Sequence, residues 1–161
     1  MKKQLILLAS SKKYGKYCVA GVDVSNGTMI RLISASSNAH FAVDPAQMTF
    51  SDGTMAQKLD LVEVECTDRS VSYFQSENWV LRQNSPWIKL RAASLDEVLR
   101  LHPPNQCEHV FYDRSRKLHR DRFMELNPRQ IRSLLLIHPE SCELLIQQSW
   151  ERRQALFAFS Y

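Results

Sequence analysis

Lys12-Lys13-Tyr14-Gly15-Lys16 sets three ammonium groups and one aromatic ring within a short stretch of chain. Ammonium groups pair with phosphates and an exposed ring stacks on a base, so this spacing suits a single-stranded polyanion; it equally suits an ordinary solvated loop. A second run, from Tyr112 to Arg122, places Arg114, Arg116, Lys117, Arg120 and Arg122 against only Asp113 and Asp121. Four such cations on phosphates would make affinity fall steeply with salt through counterion release. With the aspartates neutralising their neighbours, the same run reads as a solvated connection. Arg31 sits between Ile30 and Leu32. In a strand its side chain points away from theirs, towards either a phosphate or a surface ion pair with Glu63 or Glu65.

Little else is spaced for reaction chemistry. His40, His102, His109, His119 and His138 fall in no HxH or HxxxH pattern, and Cys18, Cys66, Cys107 and Cys142 contain no CxxC pair, so no metal site is expected. Strand spacing puts Asp60 on the opposite face from Glu63 and Glu65, which separates the carboxylates a magnesium ion would need. The chain has 4 glycines, all isolated, and no phosphate-cradling loop. A non-enzyme without a cofactor is therefore expected. Tyr73, Phe74, Trp79 and Trp87 could stack on bases, but large aromatic rings more often fill a core or an interface.

The elements that must position these groups are mostly strands. An apolar run at Leu5 to Ala9 is too short for a signal core or a membrane span, which points to a cytoplasmic protein with reduced thiols, Cys18 and Cys142 among them expected to be buried. A turn at Tyr14-Gly15-Lys16 leads to a second strand, where Gly21 suggests a bulge or bend, and Asn26-Gly27 is a strong hairpin signal before a third strand at 28–34. Residues 35–58 lose periodicity and read as a long ordered insertion, after which 59–66 forms a strand with one wet face. Ser94-Leu-Asp-Glu97 is a capping box for a short helix to about Leu101, stopped by Pro103-Pro104; Asn127-Pro128 suits a further helical turn. Two apolar runs, 133–137 and 142–146, are spaced for a hairpin across His138-Pro-Glu-Ser141, and 154–161 reads as a last strand. Net charge is +4, a mild excess that supports a polyanionic partner without requiring one.

Leu5-Ile-Leu-Leu-Ala-Ser-Ser-Lys-Lys13, Tyr17-Cys-Val-Ala-Gly-Val-Asp23, Met29-Ile-Arg-Leu-Ile-Ser34, Lys58-Leu-Asp-Leu-Val-Glu-Val64, Glu77-Asn-Trp79 and the closing Arg152-to-Tyr161 segment resemble the bacterial dual OB-containing domain family along nearly the whole chain. The family pattern has tryptophan before Ile-Arg and proline after it, where Met29 and Leu32 stand here. It also runs past the last strand seen here, so either the chain is expected to be a shortened member or the second barrel is expected to be completed by a partner or by further residues.

The resemblance implies a mainly β fold with short helices: two small OB-like barrels packed side by side, over residues 1–104 and 105–161, the second incomplete. It further implies nucleic-acid binding in a bacterial conflict or defence setting, by fold analogy alone. In such a barrel Lys12 to Lys16 lies where the binding face begins. The alternative is a protein-interaction adaptor, in which Phe157, Phe159 and Tyr161 on an open C-terminal strand receive a partner or a second copy.

Overall fold

The computed structural model describes residues 1–36, 41–70, 75–106, 109–110, 112, 120–127, 131–149 and 152–160; for Lys13, Arg122, Ser149, Arg152, Gln154 and Leu156 it describes the backbone only. Five strands close into a barrel: β1 (Lys2–Lys13), β2 (Lys16–Asp23), β3 (Met29–Ile33), β4 (Asp60–Arg69) and β5 (Asn78–Leu81). Their order is β1-β2-β3-β5-β4, and β4 returns to pair with β1. Every pairing in this circuit is antiparallel except β3 with β5. A sixth strand, β6 (Ile88–Ala92), lies on Asp60 to Glu63 of β4, while β5 takes Cys66 to Arg69.

Alternation along the strands builds two apolar layers. Leu5, Leu7, Val19, Ile30, Leu32, Val62, Val64 and Cys66 point inward and are buried together. Ile6, Val22 and Leu61 point outward and are covered by α1 (Leu95–Leu101) through Val98. The capping-box reading of α1 holds, since the Ser94 side chain accepts from the Glu97 amide and Asp96 and Glu97 occupy the first turn. Gly21 meets its expectation from across the ladder: the irregularity falls in β1, between Leu7 and Ala9. A Cβ at Gly21 would lie 2.3 Å from the Ile6 carbonyl oxygen, an approach only glycine permits.

The insertion after β3 is ordered where it is described. Asp44 caps a 3-10 turn at Pro45–Met48, and Val43 forms a two-way backbone pairing with Tyr17. Ala42, Val43, Met48, Phe50 and Ala56 are buried, so this segment supplies part of the barrel's core.

The second half departs from several expectations. Its described elements are α2 (Arg120–Glu125) and a separate two-stranded sheet of β7 (Ser141–Ser149) and β8 (Arg152–Ser160). Helix α2 carries no cap signal in the sequence, and the predicted helical turn at Pro128 lies outside the described residues. Residues 133–137, expected to be a hairpin strand, form no strand: Ser133 is a bend, and the segment joins no ladder. Instead Leu136 packs into the outer cluster with its amide on Asn105 Oδ1 at 2.9 Å, and β7 finds nine paired positions on β8. The hairpin is thus one strand later than the sequence suggests. Cys142, expected to be buried, is exposed on β7, and Cys18 is only half-buried.

Candidate nucleic-acid interface

The lysine cluster sits at the tip of the β1–β2 hairpin. Lys13 pairs with Lys16, and Tyr14 and Gly15 between them have φ of 50° and 77°, the left-handed geometry that tight hairpins between twisted strands require. The sequence places its one glycine of this loop where that geometry costs least. Tyr14 is 76% exposed and Lys12 is exposed beside it. Lys16 is half-buried, with its ammonium 3.6 Å from the Asp44 carboxylate. At that distance on the surface the pair is weak, and it leaves most of the lysine's field available.

Arg31 stands on the same outer face, opposite Ala20 on β2. Ala20 lies four positions along β2 from Lys16, about 13 Å at strand rise. Its guanidinium is occupied from within: Nη2 donates to Ser133 Oγ at 3.0 Å. Ser133 in turn donates its amide and hydroxyl to the Glu77 carboxylate at 2.9 and 3.1 Å, and Ile131 nearby is buried. Arg31, Ser133 and Glu77 therefore pin the 131–136 segment across the outer face of β3 and β5. The expected ion pair of Arg31 with Glu63 or Glu65 is not formed. Lys2 and Gln4 hold Glu63 at 2.6 and 3.1 Å, and Arg82 holds Glu65 at 3.0 Å. The hydrogen bond from Lys2 keeps the Glu63 carboxyl below the usual carboxylate range.

The other predicted contacts lie on other elements or outside the described residues. Arg120 is exposed at the start of α2, only the backbone of Arg122 is described, and Arg114, Arg116 and Lys117 lie outside the described residues. Phe157 and Phe159 are exposed on β8, and Tyr161 lies outside the described residues.

Sequence reasoning missed a polar plug inside the barrel. Lys3 follows the inward phase of Leu5 and Leu7, and its ammonium lies 2.7 Å from Asp23 Oδ2 and 4.3 Å from the Trp79 ring centre. Asp23 also accepts from the Ser25 amide and hydroxyl at 3.0 and 2.7 Å. The available signal was Asp23 placed two residues before Ser25, an arrangement in which an aspartate commonly bonds its own turn. Burial pushes the Asp23 carboxyl up, but the bonds from Lys3 and Ser25 prevail and hold it below the usual value. Asp23 is buried and Lys3 nearly so, and they bond each other and the Ser25 turn, which makes the plug a structural feature.

Burial also pushes the Cys66 thiol up to about 11, which leaves it protonated and a poor nucleophile near neutrality. Among the described residues, no three His, Cys, Asp or Glu side chains are grouped to hold a metal ion, and no helix is long and apolar enough to cross a membrane.

Comparison with curated proteins and with solved structures gives no match. A family model for the dual OB-containing domain matches residues 3–161. An OB domain is a five-stranded Greek-key barrel, and five strands close here with a helix over their outer face; the chain belongs to the dual OB-containing domain family.

Proposed function

We propose that this protein is a non-catalytic nucleic-acid-binding module that grips single-stranded or structured nucleic acid through its β1–β2 loop. The carrying observation is the tip of that hairpin, where an exposed Tyr14 is bracketed by Lys12, Lys13 and Lys16. OB barrels bind through the β2–β3 face and the loops that include β1–β2. Lysines at this tip pair with phosphates and release counterions, while the Tyr14 ring adds a sequence-tolerant stack of about 1–3 kcal/mol. The cations from Arg114 to Arg122 extend the same reading, adding phosphate contacts without base readout. Arg31 serves it indirectly, by holding residues 131–136 on the barrel. The setting implied by the family resemblance is the cytoplasm of a bacterium, beside a conflict or defence system that acts on nucleic acid.

Fluorescence anisotropy with labelled DNA and RNA oligonucleotides tests this. Association should weaken with salt, with a log–log slope of about −2 to −3 for three or four phosphate contacts on a single strand. The triple change Lys12→Glu, Lys13→Glu, Lys16→Glu should lower affinity more than about tenfold at low salt and leave the melting temperature nearly unchanged. Absence of binding to either nucleic acid at low salt sinks the proposal.

A second reading, a protein-interaction adaptor, is favoured by the exposed apolar side chains of β7 and β8. A chain without any self-association or stable protein partner would count against it.

A further inference from the structure

The β7–β8 sheet has one apolar face. Its register sets Cys142 beside Phe159, Leu144 beside Phe157 and Ile146 beside Ala155, in three rows closed at the hairpin tip by Gln148 and Arg153. The other face is mixed, carrying Ser141, Glu143, Leu145 and Gln147 of β7 and Ala158 and Ser160 of β8. On the apolar face Leu144, Ile146, Phe157 and Phe159 are 57%, 72%, 68% and 43% exposed. Among the described strands, β7 and β8 pair only with each other. A two-stranded hairpin standing alone is marginal in water, and a contiguous apolar patch of this kind marks an interaction surface.

We infer that this face is covered by the same face of a second copy of the chain, the two sheets stacking antiparallel into a four-stranded sandwich. Area supports a copy as the occupant. At about 200 Å² for a fully exposed large side chain, the four residues present about 500 Å² per chain, so two opposed faces remove about 1,000 Å², the threshold for a specific interface.

Complementarity supports it too. In the antiparallel stack the two-fold axis runs across the strands between the sheets, so β8 lies over β8 of the second copy. Phe157 then covers Ala155 of the second copy, a large ring in the gap left by a small residue, and Leu144 covers Ile146. Arg153 covers Phe159 of the second copy, where a guanidinium meets a ring face. The two Arg153 charges end at opposite ends of the sandwich. A parallel stack would bring both to one end, away from Phe159.

This interface uses none of the β1–β2 lysines, so it stands or falls separately from nucleic-acid binding. Sedimentation of the full chain from about 1 μM to about 1 mM should show a reversible monomer–dimer equilibrium with little salt dependence. Ile146→Lys or Phe157→Lys should leave a monomer with the barrel's melting transition intact, whereas Leu145→Lys, on the other face, should still dimerise. Gln148→Cys should be joined to Cys142 of the second copy by a bis-maleimide linker that spans the inter-sheet gap of about 10 Å, and should not be joined with Cys142→Ser added. The lysine triple change should leave the dimer intact. A chain that stays monomeric throughout, an association that survives Ile146→Lys, or a Gln148→Cys chain that forms no cross-link in the dimer would overturn the assignment.

Discussion

Strand β4 of the barrel and strand β7 of the hairpin are written in nearly the same alphabet. In β4, Val62, Val64 and Cys66 alternate with Glu63 and Glu65; in β7, Cys142, Leu144 and Ile146 alternate with Glu143, Leu145 and Gln147. Val62 is wholly buried, whereas Ile146 is 72% exposed. The difference is one of closure. β4 has β1 on one side, β5 and β6 on the other, and a core behind it, while among the described strands β7 pairs with β8 alone. Alternation specifies which side chains share a face, and what covers the face is settled elsewhere.

The largest test of that contrast is a matched pair of truncations. Leu5→Ala empties a fully buried position in the barrel's core and should cost about 2–5 kcal/mol. Leu144→Ala in dilute protein removes a side chain that already meets solvent and should stay within about 0.5 kcal/mol. Urea unfolding of both variants measures it, and equal losses would erase the distinction between covered and uncovered sheet.

Next in size is the polar plug, which the hairpin has no counterpart for. Asp23→Asn keeps the shape but leaves the Lys3 ammonium unbalanced over Trp79, at the cost of a charge-assisted hydrogen bond, about 1.5–3 kcal/mol. The pH dependence has a definite sign. The folded Asp23 carboxyl is held below its unfolded value, so the stability it adds is in place above the ordinary carboxylate range and is lost as pH falls through the folded value. The melting temperature of the wild-type chain should therefore drop on acidification below about pH 4, and the drop should be smaller in Asp23→Asn. Identical acid profiles would show that other carboxylates dominate.

Gly21→Ala follows, at about 1–3 kcal/mol, because the added Cβ meets the Ile6 carbonyl of the backbone and nothing flexible can move aside. An unchanged unfolding midpoint would mean that β1 relaxes around its irregularity at Leu8.

These positions also mark how far the sequence could be read. The β1–β2–β3 meander and α1 were legible because their signals are local: Tyr14-Gly15, Asn26-Gly27, and Ser94 with Glu97. The Arg31–Ser133–Glu77 link was not, since it joins positions 102 and 56 residues apart that no periodicity relates. Residues 133–137 look like a strand because their apolar side chains are real, but Leu136 spends its burial on the outer face of the barrel. Cys142 misled for the reason β7 differs from β4: a strand pattern has the same form whether or not its face is covered. At the candidate interface the lysines and Tyr14 were visible in the sequence, whereas the opposing charge on Lys16, from Asp44, came from the insertion.

That last contact yields the smallest and most selective expectation. Asp44→Asn retains a side-chain oxygen for the Ala46 amide, now bonded at 3.0 Å, and removes only a surface ion pair, so stability should change by less than about 0.5 kcal/mol. It also strips one negative charge from beside the lysine loop. At about 10 Å from a phosphate in water, one unit charge is worth about 0.4 kcal/mol, so oligonucleotide affinity at low salt should rise about twofold and the gain should fade as salt is added. Dimerisation through the hairpin should not respond at all, because apolar contact carries it. A charge change that altered both equilibria equally would mean that loop and hairpin work as one surface; a change in binding alone keeps the electrostatic tip and the apolar face as separate instruments of the same chain.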